Sequence, residues 1–215
     1  MSELGSLDGP LLAGLSRMVS KGFLHPGDTL SQRIPEADAY SVVTWMPEKR
    51  DVGPVRKLSL KGVPADIHGR VYTARPDVGA ILLGRQPWAC AIASLDGGMA
   101  GVFDEQIRHL GREVVRIRAN SDRTFDTHLL KGTNNAFVFN DRIMCFGMGL
   151  ERLLLNVELL EKCAKAYLLS ISCGFRVRRI PWIVAHVANS RLKRDECEAA
   201  EYHLKGSRSV MRKGY

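Results

Sequence analysis

The chain has 215 residues, 45% of them hydrophobic, which is enough to bury one substantial core, so a single domain over residues 1–215 is expected. The net charge of +8 and the pI near 9.4 favour anionic partners. The basic residues are interspersed, without a basic arm, zinc-finger spacing or an RNA-binding aromatic signature, which argues against nucleic acid. No apolar run reaches the length of a membrane-spanning helix, so no membrane partner is expected.

The cysteines indicate the cellular compartment. An odd number of cysteines without a C-x-x-C pair or a disulfide framework is typical of a reducing environment. The amino terminus also lacks the charged segment and apolar run of a secretion signal. We therefore expect a soluble cytoplasmic protein. The five cysteines are Cys90, Cys145, Cys163, Cys173 and Cys197.

Helices and strands alternate along the chain. Pro10 opens an amphipathic helix that ends near Gly22, because apolar residues recur there at helical spacing. Residues 40–45 are rich in β-branched and aromatic residues and indicate a strand. Hydrophobic period and turn residues predict further strands at residues 55–60, 80–83, 113–118 and 136–139, and helices at residues 71–75, 88–94, 104–110, 150–169 and 196–204.

Residues 67–94 are the most informative stretch. Its first helix stops at Pro76, since proline disfavours helix in the residue before it, and a short apolar strand follows. Gly84, Arg85 and Gln86 then form a polar corner before the next helix. In mixed α/β folds ligands tend to bind at the ends of central strands, so this corner is a candidate site.

This stretch resembles the class II aldolase/adducin family. In that family an Ile-His pair precedes a helix ending in Tyr-x-Ala-Arg-Pro-Asp-Val, and the next strand leads into His-x-His-Ser-Pro-Tyr-Ala. The two histidines bind a metal in the family, and here Leu83 and Arg85 stand in their places. The rest of the frame is present as Ile67-His68, Tyr72, residues 74–78, Ala80 and residues 87–89.

A second segment, residues 127–139, resembles the family's Leu-Leu-x-x-His-Gly followed by an aliphatic strand. With Leu129-Leu130 as the leucine pair, Thr133 takes the place of the third metal-binding histidine and Asn134 that of the glycine. His128 lies on the far side of the pair. An apolar chain, a guanidinium and a hydroxyl are poor zinc ligands, so no metal cofactor is expected, although the family normally binds zinc or another divalent metal.

A turn after the first helix resembles the family's Gly-Asn-(aliphatic)-Ser-x-Arg motif, which surrounds a substrate phosphate or carboxylate. Ser31 and Arg33 match the motif, whereas Asp28 and Thr29 replace the glycine and asparagine. A carboxylate at Asp28 would repel an anion and weaken binding there. A simple turn leading into a strand is the alternative.

The family's acid/base glutamate also has a counterpart position. It falls on Pro64, which cannot transfer a proton, and the nearest carboxylate, Asp66, is expected to point elsewhere. The resemblance implies a packing and hydrogen-bonding role for His68. Between Phe139 and the long helix lies more chain than the family pattern requires, which predicts a short insertion.

The resemblance implies a three-layer α/β/α sandwich with a central mixed, mainly antiparallel sheet. It also implies a homo-oligomer, since the family usually forms cyclic tetramers with pockets at subunit interfaces. The aromatic-His pair Tyr202-His203 resembles the family's C-terminal helix. Tyr215 is a candidate for closing a neighbouring subunit's site, with an exposed chain end as the alternative.

Two functions follow from these substitutions. The first is a non-metal pseudoenzyme that binds a small anion or, as in the adducins, serves as a scaffold. A guanidinium can hold a carboxylate or phosphate in bidentate fashion, so Arg85 is the centre of the predicted anion site. The alternative is an active carbon–carbon lyase, of the aldolase or decarboxylase type, acting on a sugar phosphate or hydroxy acid with a rearranged site. The predicted anion-binding residues are Ser31, Arg33, Arg85, Thr133 and Asn134.

Overall fold

The computed structural model describes residues 8–46, 53–64, 66–95, 98–117, 126–130 and 134–209. Its helices are α1 (Asp8–Ser20), α2 (Ile67–Ala74), α3 (Pro87–Ala91), α4 (Asp104–Leu110), α5 (Leu150–Ser172) and α6 (Trp182–Leu204). Its strands are β1 (Thr29–Ile34), β2 (Ala39–Thr44), β3 (Arg56–Ser59), β4 (Ala80–Gly84), β5 (Met99–Ala100), β6 (Glu113–Ile117), β7 (Ala136–Phe139) and β8 (Arg142–Gly147). Short 3-10 turns lie at Pro35–Ala37, Ile92–Ser94 and Thr127–Leu130.

The strands form one mixed sheet in the order β3-β2-β1-β4-β8-β7-β6-β5. Neighbouring strands are antiparallel except for β6 and β7, which are parallel. The sheet is flanked by helices, and the predicted α/β architecture is confirmed.

Alternating side chains of the central strands build two cores, because successive residues of a strand point to opposite faces. On one face Leu82 joins the cluster that includes Leu15 of α1 and Leu153 of α5. On the other face Ile81 and its neighbours pack with α2; the large rings of this second cluster are Tyr40, Tyr72, Phe137, Phe139 and Phe146. Strand β4 is buried throughout and lies between β1 and β8, so the polar corner that follows it is at the end of a central strand.

The structure departs from the sequence-based expectation at two elements. The segment after Phe139 that suggested an insertion contains β8, a fully paired strand between β4 and β7. Its short apolar run has no period that distinguishes strand from helix, which is why it was missed. Helix α6 begins at Trp182, well before the predicted start at residue 196. No helix among the described residues is long and apolar enough to span a membrane.

Candidate functional site

The candidate site lies at the edge of the sheet where β1 begins, β4 ends and β8 begins. Because β4 runs antiparallel to both neighbours, Thr29 pairs with Leu83 on one side and Ile143 pairs with Gly84 on the other. This register brings three short connections together. They are the end of the α1–β1 connection at Asp28, the corner after β4 and the β7–β8 hairpin.

Arg85 is held at this edge by two carboxylates. Its Nη1 lies 2.6 Å from Asp28 Oδ1, and its Nε lies 3.1 Å from Asp141 Oδ2. The Arg85 backbone amide also donates to Asp28 Oδ2 at 2.9 Å, as does the His25 amide at 2.8 Å. The Asp28 side chain is fully buried, whereas that of Asp141 is 68% exposed. We call these three residues the Asp28–Arg85–Asp141 cluster.

The electrostatics of the cluster are nearly balanced. Arg142 flanks it, with Nε 3.9 Å from Asp28 Oδ1, so two guanidinium groups face two carboxylates. Partial burial raises the pKa of Asp141, but the hydrogen bond and charge of Arg85 outweigh this and lower it overall. An external anion would therefore have to compete with carboxylates that already hold Arg85.

His68, the second residue of α2, and Ser31 of β1 are buried and face each other. His68 Nε2 is 2.7 Å from Thr29 Oγ1, and its Nδ1 is 2.8 Å from Ser31 Oγ, which in turn lies 2.8 Å from Tyr72 Oη. Burial lowers the pKa of His68 to about 4, so the ring is neutral at neutral pH. The predicted packing and hydrogen-bonding role of His68 agrees with this geometry, and the buried Ser31 hydroxyl is engaged internally.

Arg33 is turned toward the backbone. Its Nε donates to the Val78 carbonyl at 2.8 Å, and its Nη2 donates to the carbonyls of Tyr72 and Arg75. These bonds tie β1 to the end of α2 and to the turn before β4. Arg33 is thus bonded within the fold, away from the Asp28–Arg85–Asp141 cluster.

The other two predicted anion-binding residues are Asn134, which the structure describes, and Thr133, which it does not. The carbonyl of Asn134 accepts a hydrogen bond from Arg75 Nη1 at 3.1 Å. Thr133 lies outside the described residues, as does Tyr215. Of the five predicted anion-binding residues, the structure places Arg85 at the corner and gives Ser31, Arg33 and Asn134 partners elsewhere. The shared anion site stays a prediction.

The position of the family's acid/base glutamate holds no side chain that is free to transfer a proton. Pro64 stands there, and the neighbouring Asp66 caps α2. Asp66 Oδ1 accepts hydrogen bonds from the Gly69 amide at 3.0 Å and from the Tyr40 hydroxyl at 2.7 Å. The capping carboxylate therefore points into the fold, as expected from the sequence.

The family's third metal-binding histidine also aligns with a second position, Asp141, which the sequence analysis did not consider. The spacing Leu-Leu-x-x-His-Gly also fits residues 137–142, with Phe137-Val138 as the apolar pair and Asp141-Arg142 in place of His-Gly. The aliphatic strand that should follow is then β8, and no insertion is needed. The contact between Asp141 and Arg85 favours this register. The sequence feature that could have indicated this register is the apolar run at residues 143–146, directly after the hairpin.

The side chains at this edge do not fit a divalent metal. Leu83 is apolar and packs in the second core, Arg85 carries a positive charge, and the Asp141 carboxylate is paired with that charge. Zinc sites use imidazole, thiolate or free carboxylate ligands. Across the described ranges, no group of three or more His, Cys, Asp or Glu side chains is placed to hold a metal ion.

The Arg75-Pro76-Asp77 segment of the motif has a structural role. Arg75 donates to both carboxylate oxygens of Asp77, at 2.8 and 2.7 Å, and to Asn135 Oδ1 at 2.9 Å. Glu196 of α6 approaches Arg75 Nη2 to 3.4 Å and accepts from Asn135 Nδ2 at 2.9 Å. Burial raises the pKa of Glu196 to about 7, although Arg75 opposes the shift. We call these four residues the Arg75 network; it fastens α6 to the domain.

The chain matches a model of one known protein family. The model of the Class II Aldolase and Adducin N-terminal domain matches residues 36–168, more than half of the chain. The chain belongs to the class II aldolase and adducin family. No curated protein matches the chain.

Solved structures of the family share the fold. YgbL from Escherichia coli aligns with a TM-score of 0.70 at 17% identity, covering 86% of this chain and 98% of that chain. An aldolase II superfamily protein from Pseudomonas syringae gives 0.66 at 15% identity, covering 91% and 90%. L-fuculose 1-phosphate aldolase from Glaciozyma antarctica PI12 gives 0.63 at 19% identity, covering 91% and 88%. At these identities the likeness establishes the fold of this family member and leaves its chemistry to its own residues.

Proposed function

We propose that this family member is a pseudoenzyme that uses no metal and serves as a binding or scaffolding domain. The observation that carries the proposal is the Asp28–Arg85–Asp141 cluster. Arg85 stands where the resemblance places the second metal-binding histidine, and its charge is neutralised by carboxylates from two other connections. A guanidinium there repels a cation, and Leu83 beside it offers no donor atom.

The lack of a general base at the family's position supports the same proposal. Aldol cleavage needs a group that moves a proton at the reacting carbon. Pro64 has none, and the Asp66 carboxylate is occupied by the α2 amide and the Tyr40 hydroxyl. These features disfavour the alternative of a carbon–carbon lyase acting on a sugar phosphate or hydroxy acid.

Within the proposal, scaffolding is favoured over binding of a small anion, because Arg85 is already paired. Anion binding stays as the second candidate, since the side chains of Arg85 and Arg142 are 28% and 27% exposed at the same edge. Thermal denaturation with added phosphate, citrate or chloride separates the two. Stabilisation by phosphate or citrate that is lost in Arg85→Gln would establish an anion site; equal melting temperatures favour the scaffold.

The first test is to rebuild the metal site. We expect the wild-type protein to carry no stoichiometric metal by elemental mass spectrometry. The variant Leu83→His/Arg85→His/Asp141→His should gain zinc binding, because three imidazoles then converge on one edge. The matched control Leu83→His/Arg85→His/Thr133→His places the third histidine at the position predicted from Leu129-Leu130, and is expected to bind zinc weakly.

Two results would overturn this proposal. Near-stoichiometric metal in the wild-type protein, or turnover of a sugar phosphate that is lost with Arg85→Gln, would restore an active lyase. Stronger zinc binding by the Thr133 variant than by the Asp141 variant would show that the third place lies at Thr133. Circular dichroism of each variant checks that the fold is intact.

We also propose a cytoplasmic homo-oligomer, with the tetramer of the family as the expected form. All five cysteines are free, which suits a reducing compartment. Exposed apolar side chains such as Val63 and Leu129, 89% and 51% exposed, are available for contacts between copies.

A further inference from the structure

The corner between α5 and α6 has an unusual surface. Half of the large hydrophobic side chains that are exposed among the described residues fall within residues 169–187. The most exposed are Trp182 at 75%, Phe175 at 71% and Ile183 at 60%; the others are Leu169, Ile171, Val184 and Val187. We call residues 169–187 the basic-apolar corner. Clustered exposed apolar side chains mark a surface that contacts something other than water.

The charge of this corner has one sign. Arg176, Arg178 and Arg179 are exposed, and no described carboxylate forms an ion pair with them. Residues 169–187 contain no aspartate or glutamate at all. The arginines alternate with apolar residues, so cationic and apolar groups are presented by the same short segment.

The backbone holds the corner in place. Gly174 has a φ of 75° and ends α5, with its amide donating to the Ile171 carbonyl at 2.9 Å and the next amide donating to Ser170 at 3.0 Å. Further on, the Ile180 amide donates to the Gly101 carbonyl at 3.2 Å, and Pro181 starts α6. The apolar side chains are thus displayed at a fixed turn between two long helices.

We propose that the basic-apolar corner docks on the surface of a membrane that carries anionic lipids. Arginines placed among aromatic and aliphatic side chains suit the lipid–water boundary, where the cations meet phosphate headgroups and the apolar groups enter the acyl region. Tryptophan is favoured at this boundary. The proposed docking is peripheral, and it replaces the expectation of no membrane partner, which rested only on the lack of a membrane-spanning run.

Two other occupants explain the surface less well. A second copy docked face to face, corner against corner, would bring six arginines together without any carboxylate from residues 169–187 to offset them. A nucleic acid would meet the arginines but leave Ile183, Val184 and Val187 without a role, because aliphatic side chains neither stack on bases nor bind phosphate.

The test is flotation of the full chain with vesicles of phosphatidylcholine alone or mixed with phosphatidylserine. We expect binding only to the mixed vesicles, weakened by salt because headgroup attraction is screened. The tryptophan emission of the chain should shift to shorter wavelength on binding, because the exposed Trp182 then leaves water. Replacing Arg176, Arg178 and Arg179 by Gln should lower the partition coefficient roughly a hundredfold, since each basic residue contributes about fivefold near an anionic surface. Phe175→Ser/Trp182→Ser should lower it as well.

A matched control separates this surface from net charge alone. Arg56→Gln/Lys57→Gln/Lys61→Gln removes three exposed positive charges at and just after the edge strand β3, and should leave vesicle binding within about twofold of wild type. Equal loss in this control, equal binding to phosphatidylcholine alone, or no binding to either vesicle would overturn the proposal. So would a drop in oligomer mass by light scattering in Phe175→Ser/Trp182→Ser, because the corner would then be a contact between copies.

Discussion

At the scale of single residues, Asp28 explains how an arginine can occupy the end of a central strand. The carboxylate is fully buried, and it accepts the backbone amides of His25 and Arg85 as well as the Arg85 guanidinium. A buried carboxylate is tolerated only when its lone pairs are satisfied, which these three donors achieve. Asp28 thereby fixes both the backbone of the corner and the direction of the Arg85 side chain.

We expect Asp28→Asn to destabilise the protein by about 2–3 kcal/mol, because the amide group removes the charge and turns a donor toward donors in a buried place. The exposed partner provides the control. Asp141→Asn should cost less than about 1 kcal/mol, since water already solvates that side of Arg85. Urea denaturation followed by tryptophan fluorescence measures both. Equal losses in the two variants would mean that Asp28 is not the anchor of the cluster.

The same residue shows what the sequence could and could not predict. A carboxylate in the place of the motif's glycine was taken as unfavourable for an anion, but its partner Arg85 is 57 positions away. No local pattern encodes that pairing. Asp141 was missed for a related reason: two apolar pairs, Leu129-Leu130 and Phe137-Val138, both fit the family spacing. The strand register, which is set by long-range hydrogen bonds, favours the second pair.

At the scale of elements, local signals were sufficient wherever a residue type constrains the backbone. Pro76 ended α2 at the predicted place, and the apolar run after it became β4. Helix α6 was harder to predict, since half of it has an exposed apolar face that does not follow a buried period. Its attachment combines a buried stripe that includes Leu192 and Ala199 with the Arg75 network, and in particular with the buried Glu196.

The Glu196 carboxyl should make the docking of α6 depend on pH. Its pKa is raised to about 7 in the folded state, so the folded protein binds the proton more tightly than the unfolded chain does. The stability from this group is therefore present at pH 5 and is lost as the pH rises through 7. Relative to Glu196→Gln, the wild type should lose roughly 2–3 kcal/mol of unfolding free energy between pH 5 and pH 8.

Urea denaturation across this pH range, on both proteins, gives the difference directly. Glu201→Gln is the matched control, because Glu201 lies on the same helix but its side chain is 72% exposed beside Lys205. That variant should follow the wild type at every pH. A Glu196→Gln curve parallel to the wild type would contradict the proposed protonation of the buried carboxyl.

At the scale of the whole molecule, the family resemblance predicted the sheet and its layers because the fold depends on many apolar positions that tolerate exchange. The chemistry depends on a few side chains, and these are the positions that changed. Membership of the family therefore does not by itself assign the family's usual reaction to this chain. The mixed sheet survives with Leu83 and Arg85 at the end of β4, since one joins a core and the other gains buried partners.

Assembly is the property of the whole molecule that the exposed side chains predict. Size-exclusion chromatography with light scattering should give about four times the 23.9 kDa chain mass, if copies associate as the family usually does. Val63→Ser/Leu129→Ser should lower that mass, because those exposed apolar side chains lie outside the basic-apolar corner and are free for contacts between copies. The corner variant Phe175→Ser/Trp182→Ser should leave the mass unchanged. A wild-type mass of a single chain would contradict the tetramer while leaving the Asp28–Arg85–Asp141 cluster intact, since all of its contacts lie within one copy.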